Sequence, residues 1–148
     1  MIEIIAECGI NHNGDMALAI ELIEYAKEAG ASVAKFQVYD VDKLFPNHEV
    51  WAQGRIWYEE VRKTQLSKQH VMELAAYCRE VNIEFMASAF DVERVGWLEE
   101  ANVKRHKVAC RFRDKSTIEA MVATGKSLII SHDHPTYIHH DVDIDTRD

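Results

Sequence analysis

The sequence contains no apolar run longer than a β-strand, whereas a membrane-spanning helix needs about 20 predominantly apolar residues. Nor does its opening, Met1-Ile2-Glu3-Ile4-Ile5-Ala6-Glu7, carry the basic stretch and apolar core of a secretory signal. Cysteine is scarce: Cys8, Cys78 and Cys110 are odd in number and form no CxxC pair. Without an export signal they read as free thiols in a reducing compartment, and a cytoplasmic protein is expected. Positive charge is in deficit, with 17 Lys and Arg against 25 Asp and Glu and a formal net charge of -8. Nucleic acid and anionic membranes are therefore not expected as partners. An anionic ligand would need a local cluster of cations. No GxGxxG follows the first strand-like segment and no GxxxxGK[ST] occurs anywhere, which weakens a dinucleotide or P-loop reading. Internal repeats and low-complexity linkers are absent as well.

What is present suits a single globular core: 47% hydrophobic and 28% charged residues in 148. Short apolar runs alternate with amphipathic segments. Strands are expected over 2–10, 32–39, 83–90, 105–111 and 127–131. Between the first two, Met16, Ala19, Ile20, Ile23 and Ala26 keep helical spacing over 15–29, and Gly30 supplies a left-handed stop. Ser67 is placed to cap the next long helix, with Leu66 and Val71 as a hydrophobic staple. Asp91 starts a helix through Glu100, and Ser116-Thr117-Ile118-Glu119 has the pattern of a capping box. The aromatic-rich segment from Asp40 to Thr64 predicts one short helix, over 56–62. Strict alternation implies a parallel α/β sheet with right-handed crossovers. Periodicity alone leaves an open doubly wound sheet and a barrel both possible. Residues 1–133 form the expected domain, and 134–148 a polar tail rich in His and Asp.

Ligands of parallel α/β folds gather at the C-terminal ends of strands. Polar residues there are Glu7, Asn11, His12 and Asn13; Lys35 and Gln37; Ser88; Lys107 and Cys110; and Ser131, His132 and Asp133. Lys35 and Gln37 are one pleat repeat apart and face the same side. Lysine is rarely buried without a partner, so Lys35 and Lys107, each within an apolar strand, require an anion or a carboxylate. Pairing with Glu7 or reaching solvent would satisfy either one alone, while two at corresponding positions favour a phosphate or carboxylate site. His132, His134, His139 and His140 with Asp133, Asp141 and Asp143 have the chemistry of a divalent-metal site, and equally of a flexible tail. Cys110 reads as a core residue before it reads as a nucleophile.

The stretch Ile4-Ile5-Ala6-Glu7-Cys8-Gly9-Ile10-Asn11-His12-Asn13-Gly14-Asp15 resembles the opening motif of the N-acetylneuraminate (sialic acid) synthase family. Lys35-Phe36-Gln37 with Asp42-Lys43-Leu44 is similar to its second-strand motif. Trp57-Tyr58-Glu59-Glu60 through Leu66-Ser67, Ile83-Glu84-Phe85-Met86 with Phe90-Asp91, Lys107-Val108-Ala109 and Thr124-Gly125-Lys126 with Ile129-Ile130-Ser131 continue the match in order. The resemblance covers residues 2 to 131. It implies a partial parallel (β/α) barrel, about five of eight strand–helix units, and an enzyme that condenses phosphoenolpyruvate with an N-acylated amino sugar of the N-acetylmannosamine type. It implies catalytic roles for Glu7, Lys35 and Lys107. Asn11, His12, Asn13, Gln37, Ser88, Cys110 and Ser131 would bind substrate. A divalent metal, manganese or magnesium, is implied too, but the family's two histidine ligands lie on later strands, so metal ligands within this chain are unknown.

Three motifs depart from the family pattern. Ala87-Ser88-Ala89-Phe90 stands for the usual Ser-Thr-Pro-Phe. Cys110, Arg111 and Phe112 follow Lys107-Val108-Ala109 where serine, glycine and an acid are usual, and His132-Asp133 replaces the end of Ser-Thr-Gly. The alternative is a non-catalytic protein of the same barrel that binds a phosphorylated metabolite or serves as a scaffold. A lysine Schiff-base aldolase would use Lys35 or Lys107 and requires a depressed lysine pKa. A homo-oligomer is expected, because an unclosed barrel leaves sheet edges unpaired and apolar residues such as Phe36, Met86 and Ile130 partly wet.

Overall fold

The computed structural model describes residues 2–48, 51–52, 55–110, 112 and 114–132. Strand β1 (Ile5–Gly9) leads to helix α1 (Met16–Glu28) and then β2 (Val33–Val38). A longer passage follows: the one-turn helix α2 (Val41–Leu44), a hairpin of β3 (Trp51–Ala52) and β4 (Arg55–Ile56), α3 (Tyr58–Lys63) and α4 (Lys68–Glu80). The chain continues through β5 (Glu84–Ala89), α5 (Val92–Glu100), β6 (Arg105–Val108), α6 (Lys115–Ala123) and β7 (Ser127–Ile130). All pairs in the main sheet are parallel, and its order is β1-β2-β5-β6-β7. A doubly wound sheet reverses its strand order at a switch point; this one never does, which is the order of a barrel.

One local device ends the helices and aims the next strand. A left-handed residue follows α1, α4, α5 and α6: Gly30 (φ 82°), Asn82 (57°), Asn102 (58°) and Gly125 (70°). Behind the first three, the N–H groups of Ala31, Ile83 and Val103 bond back to Ala26, Cys78 and Leu98 at 2.9, 2.9 and 3.2 Å. Those three residues are buried, so each stop also drops an apolar side chain into the core, the Schellman pattern. Helix starts are capped by Asp15, Ser67, Asp91 and Asp114. The capping box expected at Ser116 is displaced: Asp114 is the cap, accepting from Thr117 N and Oγ1 at 2.8 and 2.6 Å and from Ser116 Oγ at 2.6 Å. Glu119 reaches Lys115 instead, at 3.8 Å. A carboxylate takes all three donors at once, which a serine hydroxyl in that place does not.

Strand alternation divides the sheet into two faces. Ala34, Phe36, Val38, Phe85, Ala87 and Ala89 pack with Ile23, Leu74 and Leu98 of the helices in one buried cluster. Each large side chain buried there contributes roughly 1.5–3 kcal/mol. The opposite, inner face carries Glu7, Lys35, Gln37, Met86, Ser88 and Lys107, aligned by the registers Glu7↔Lys35, Lys35↔Met86, Gln37↔Ser88 and Ser88↔Lys107. Its floor, at the start of the strands, is ionic. Arg105 reaches Glu84 through Nε and Nη2 at 2.8 and 3.0 Å, and Glu3 through Nη1 and Nη2 at 2.7 and 2.5 Å.

Strands are shorter than expected. β1 starts at Ile5, with Ile2 and Ile4 exposed before it, and β6 ends at Val108 because the chain turns at Cys110. The expected short helix lies at Tyr58–Lys63 and is preceded by α2 and the hairpin. Phe36 and Met86 are fully buried rather than partly wet. Phe36 belongs to the helix-facing cluster, and Met86 lies on the central strand with a neighbour on each side. Ile130 is indeed 40% exposed. Asp133 and the tail 134–148 lie outside the described residues.

Candidate active site

The inner face reaches the strand ends as a strip of polar groups. β1 carries a register shift between Glu7 and Gly9, and Gly9 adopts φ +55° there. The irregularity keeps the Glu7 carboxylate over the strip: a Cβ on Gly9 would lie 3.4 Å from Glu7 Oε1 and 4.0 Å from Gln37 Nε2. Lys35, on the neighbouring strand, donates to Glu7 Oε2. The pair spans a gradient of burial, with side-chain exposures of 10% for the lysine and 53% for the acid. One carboxylate oxygen is thus committed while the group stays open to solvent.

Lys107 is held differently. Its Nζ donates to the Val108 carbonyl at 2.6 Å and to Ser131 Oγ at 2.8 Å. Among the described residues it has no carboxylate partner. Burial pushes its pKa down, and the Lys35 ammonium adds to that; Glu7 and Cys110 oppose it more weakly. The two amines therefore share one electrostatic field. Ser88, buried and in register with both Gln37 and Lys107, stands between them. Seven of the sequence-chosen residues, Glu7, Lys35, Gln37, Ser88, Lys107, Cys110 and Ser131, gather around this strip. Cys110 is exposed in the turn after β6.

The β1–α1 turn divides its residues. Asn11 and Asn13 are exposed, Asn13 with φ 50°. His12 turns the other way: it is 0% exposed, its Nδ1 accepts from Gly14 N at 3.1 Å, and its ring tilts on Phe36 with centroids 6.2 Å apart. Phe36 faces the helices, so His12 is placed behind the sheet, apart from the lysines. Its Nε2 is buried without a hydrogen-bond partner among the described residues. Burial lowers its pKa, with His70 adding to the effect.

Sequence reasoning missed the supports of this mouth. Arg94, buried on α5, reaches Asp40 at 3.6 Å, Asp91 at 3.2 Å and Glu93 at 2.8 Å, and stacks 4.4 Å over Trp97. It ties together the chain just beyond β2 and β5. An arginine three residues after a capping aspartate was the available signal. Tyr58 donates to Asp42 Oδ1 and stacks on His48, centroids 4.6 Å apart, bracing α2 against α3. Phe112 packs edge-on against Phe90 at 5.3 Å. Among the described residues no three His, Cys, Asp or Glu side chains converge as a metal-holding set. Nor is any helix among them long and apolar enough to cross a membrane.

Fold and site together define a partial (β/α) barrel whose strand ends gather two lysines, a carboxylate, an amide and hydroxyls. Comparison with known proteins makes this specific: residues 22–139 match the NeuB family, and the chain belongs to that family. It is 36% identical over 113 residues to the N,N'-diacetyllegionaminic acid synthase of Legionella pneumophila, covering 71% of this chain and 32% of that protein. It is 35% identical over 136 residues to the N-acetylneuraminate-9-phosphate synthase of Homo sapiens, covering 86% and 38%. A crystal structure of the sialic acid synthetase from Leptospira borgpetersenii, in complex with citrate, superposes over 97% of this chain and 58% of its own with a TM-score of 0.69 and 26% identity. The chain thus spans about a third of the length of these curated relatives.

Proposed function

We propose that this chain provides the phosphoenolpyruvate-binding part of a sialic acid synthase-type active site, in which phosphoenolpyruvate condenses with an N-acylated amino sugar of the N-acetylmannosamine type. The observation that carries this reading is that two buried lysines, Lys35 and Lys107, share the inner face on the strands either side of β5, with Ser88 in register with Lys107. A substrate with a phosphate and a carboxylate supplies the anion that Lys107 lacks among the described residues, and a second one beside the Lys35–Glu7 pair. Arrival of the substrate favours the protonated form of Lys107, reversing the effect of burial. Ser88 and Ser131 offer hydroxyls to the same anion. Gln37 and the open side of Glu7 are placed toward the sugar, with Asn11 and Asn13 at the rim. The divalent ion of the family would polarise the sugar aldehyde. Self-association is part of the proposal, since β1 and β7 each have only one neighbour among the described residues.

A second reading, binding without turnover, is favoured by one observation. Phe112, near where the family resemblance places an acid, is packed on Phe90.

Titration with phosphoenolpyruvate tests the site, and phosphate release with and without manganese, in the presence of amino sugar, tests turnover. A charge-assisted hydrogen bond is worth about 1.5–3 kcal/mol, so Lys107→Ala is expected to weaken binding roughly 10- to 100-fold. Lys35→Ala is expected to cost more, because it also leaves Glu7 uncompensated beside the ligand. Equal affinity in the wild type and both variants removes the assignment.

A further inference from the structure

Lys35 and Lys107 face the same side but have unlike partners. Lys35 donates to a carboxylate. Among the described residues Lys107, 7% exposed, donates to a backbone carbonyl and a serine hydroxyl, at 2.6 and 2.8 Å, and to no carboxylate. An amine that is buried without a counter-charge and stands beside a second cation sits in the environment that turns lysine into a nucleophile. We infer that Lys107 forms an imine with the ketone carbon of a 2-oxo acid whose carboxylate rests on Lys35.

The step balances without a further reactant. The Nζ lone pair adds to the C=O carbon, the oxygen takes up a proton, and the resulting carbinolamine loses water to leave a C=N bond. Hydrolysis reverses it. Ser131 Oγ, already in hydrogen-bond contact with Nζ, is the hydroxyl placed to relay the proton. Among the described residues the charged or titratable groups that act on the amine are Lys35, Glu7 and Cys110. Burial and the Lys35 ammonium favour the free amine over the ammonium ion, so nucleophilic amine is available at a lower pH than on exposed lysines. This chemistry is separate from the condensation reading, because phosphoenolpyruvate has no ketone.

The test is reduction with borohydride at neutral pH in the presence of pyruvate, followed by peptide mass mapping. At neutral pH the reduction favours an amine whose ammonium form is disfavoured by burial. The expected result is an N-(1-carboxyethyl) group on Lys107, formed at least tenfold faster than on exposed Lys68 or Lys115, and a weaker adduct in Lys35→Ala. Lys107→Met, whose fold is checked by thermal melting, should lose the adduct; should that variant unfold, the wild-type map decides alone. An unlabelled Lys107, labelling no faster than at the exposed lysines, or an adduct on Lys35 instead overturns the inference. Normal phosphoenolpyruvate binding without the imine defeats this inference only. The imine without phosphoenolpyruvate binding defeats the condensation reading only.

Discussion

Gly14 and Gly30 share one backbone conformation and differ in surroundings, so alanine at each separates strain from collision. Both occupy the left-handed region, φ +83° and +82°. A Cβ there costs about 1–2 kcal/mol, partly offset by about 0.4–1 kcal/mol because alanine also restricts the unfolded chain. At Gly30 the space is open, with nothing within 4 Å of the added carbon, so Gly30→Ala should destabilise by about 1 kcal/mol. At Gly14 the new carbon would meet the Lys63 carbonyl oxygen at 2.3 Å, and real Cβ contacts are essentially never under 3.0 Å, so the backbones must part by about 0.7 Å. The carbonyl cannot retreat easily. It ends α3, whose last turn is fixed by Tyr39 Oη donating to Val61 O at 2.9 Å and lying 2.5 Å from Thr64 Oγ1, both side chains buried. Forcing such a shift adds about 1–3 kcal/mol, for a total of about 2–4 kcal/mol in Gly14→Ala. Urea unfolding of the two variants reads the difference as a lower midpoint at unchanged slope. Gly14→Ala should also weaken anion binding, since the Asn11–Gly14 turn sits at the rim of the site. Equal losses at both positions would refute the steric account of this turn.

Arg105→Met should destabilise by about 2–3 kcal/mol in the same assay, because it leaves the Glu84 side chain, 8% exposed, with the exposed Lys104 at 3.7 Å in place of two guanidinium hydrogen bonds; Glu3→Gln should cost far less, and the reverse order would remove the floor's role. Acid should destabilise the protein through His12 and His106, whose pKa values burial lowers. Above about pH 6.5 both states hold these rings neutral; as pH falls below it, the unfolded chain takes up protons first and stability drops. The urea midpoint from pH 7.5 to 5 should therefore fall less in His12→Gln than in the wild type, and parallel curves would exclude His12. Light scattering over a dilution series should give a mass above 17.0 kDa; a monomer at every concentration means the edges of β1 and β7 are protected otherwise.

The helix stops explain why so much of the fold could be read from the chain. Gly30 and Gly125 announce two of them, whereas Asn82 and Asn102 do the same work under a residue that also suits caps and open turns. Alternation in Ala34-Lys35-Phe36-Gln37-Val38 showed which side chains share a face, and β2 obeys it residue by residue. His12 escaped the same logic because a turn has no period: only the contact with Phe36 decides that it faces the helices. Arg94 escaped because its partners Asp40 and Asp91 follow different strands, and their approach depends on β2 and β5 being neighbours.

Barrel or open sheet was a question about strand order, which local periodicity does not contain. That order also settles the asymmetry of the two lysines. Neighbouring strands lie about 4.8 Å apart, and β1 borders β2, while β2 and β5 intervene before β6. The carboxylate of Glu7 is one strand from Lys35 and three from Lys107, so a single acid on the first strand reaches only the nearer amine. With no carboxylate of its own among the described residues, Lys107 answers burial with a lowered pKa. Two lysines that look equivalent in the sequence, Lys35 between Ala34 and Phe36 and Lys107 beside Val108-Ala109, thereby become one ion-paired cation and one amine whose protonation depends on what binds beside it.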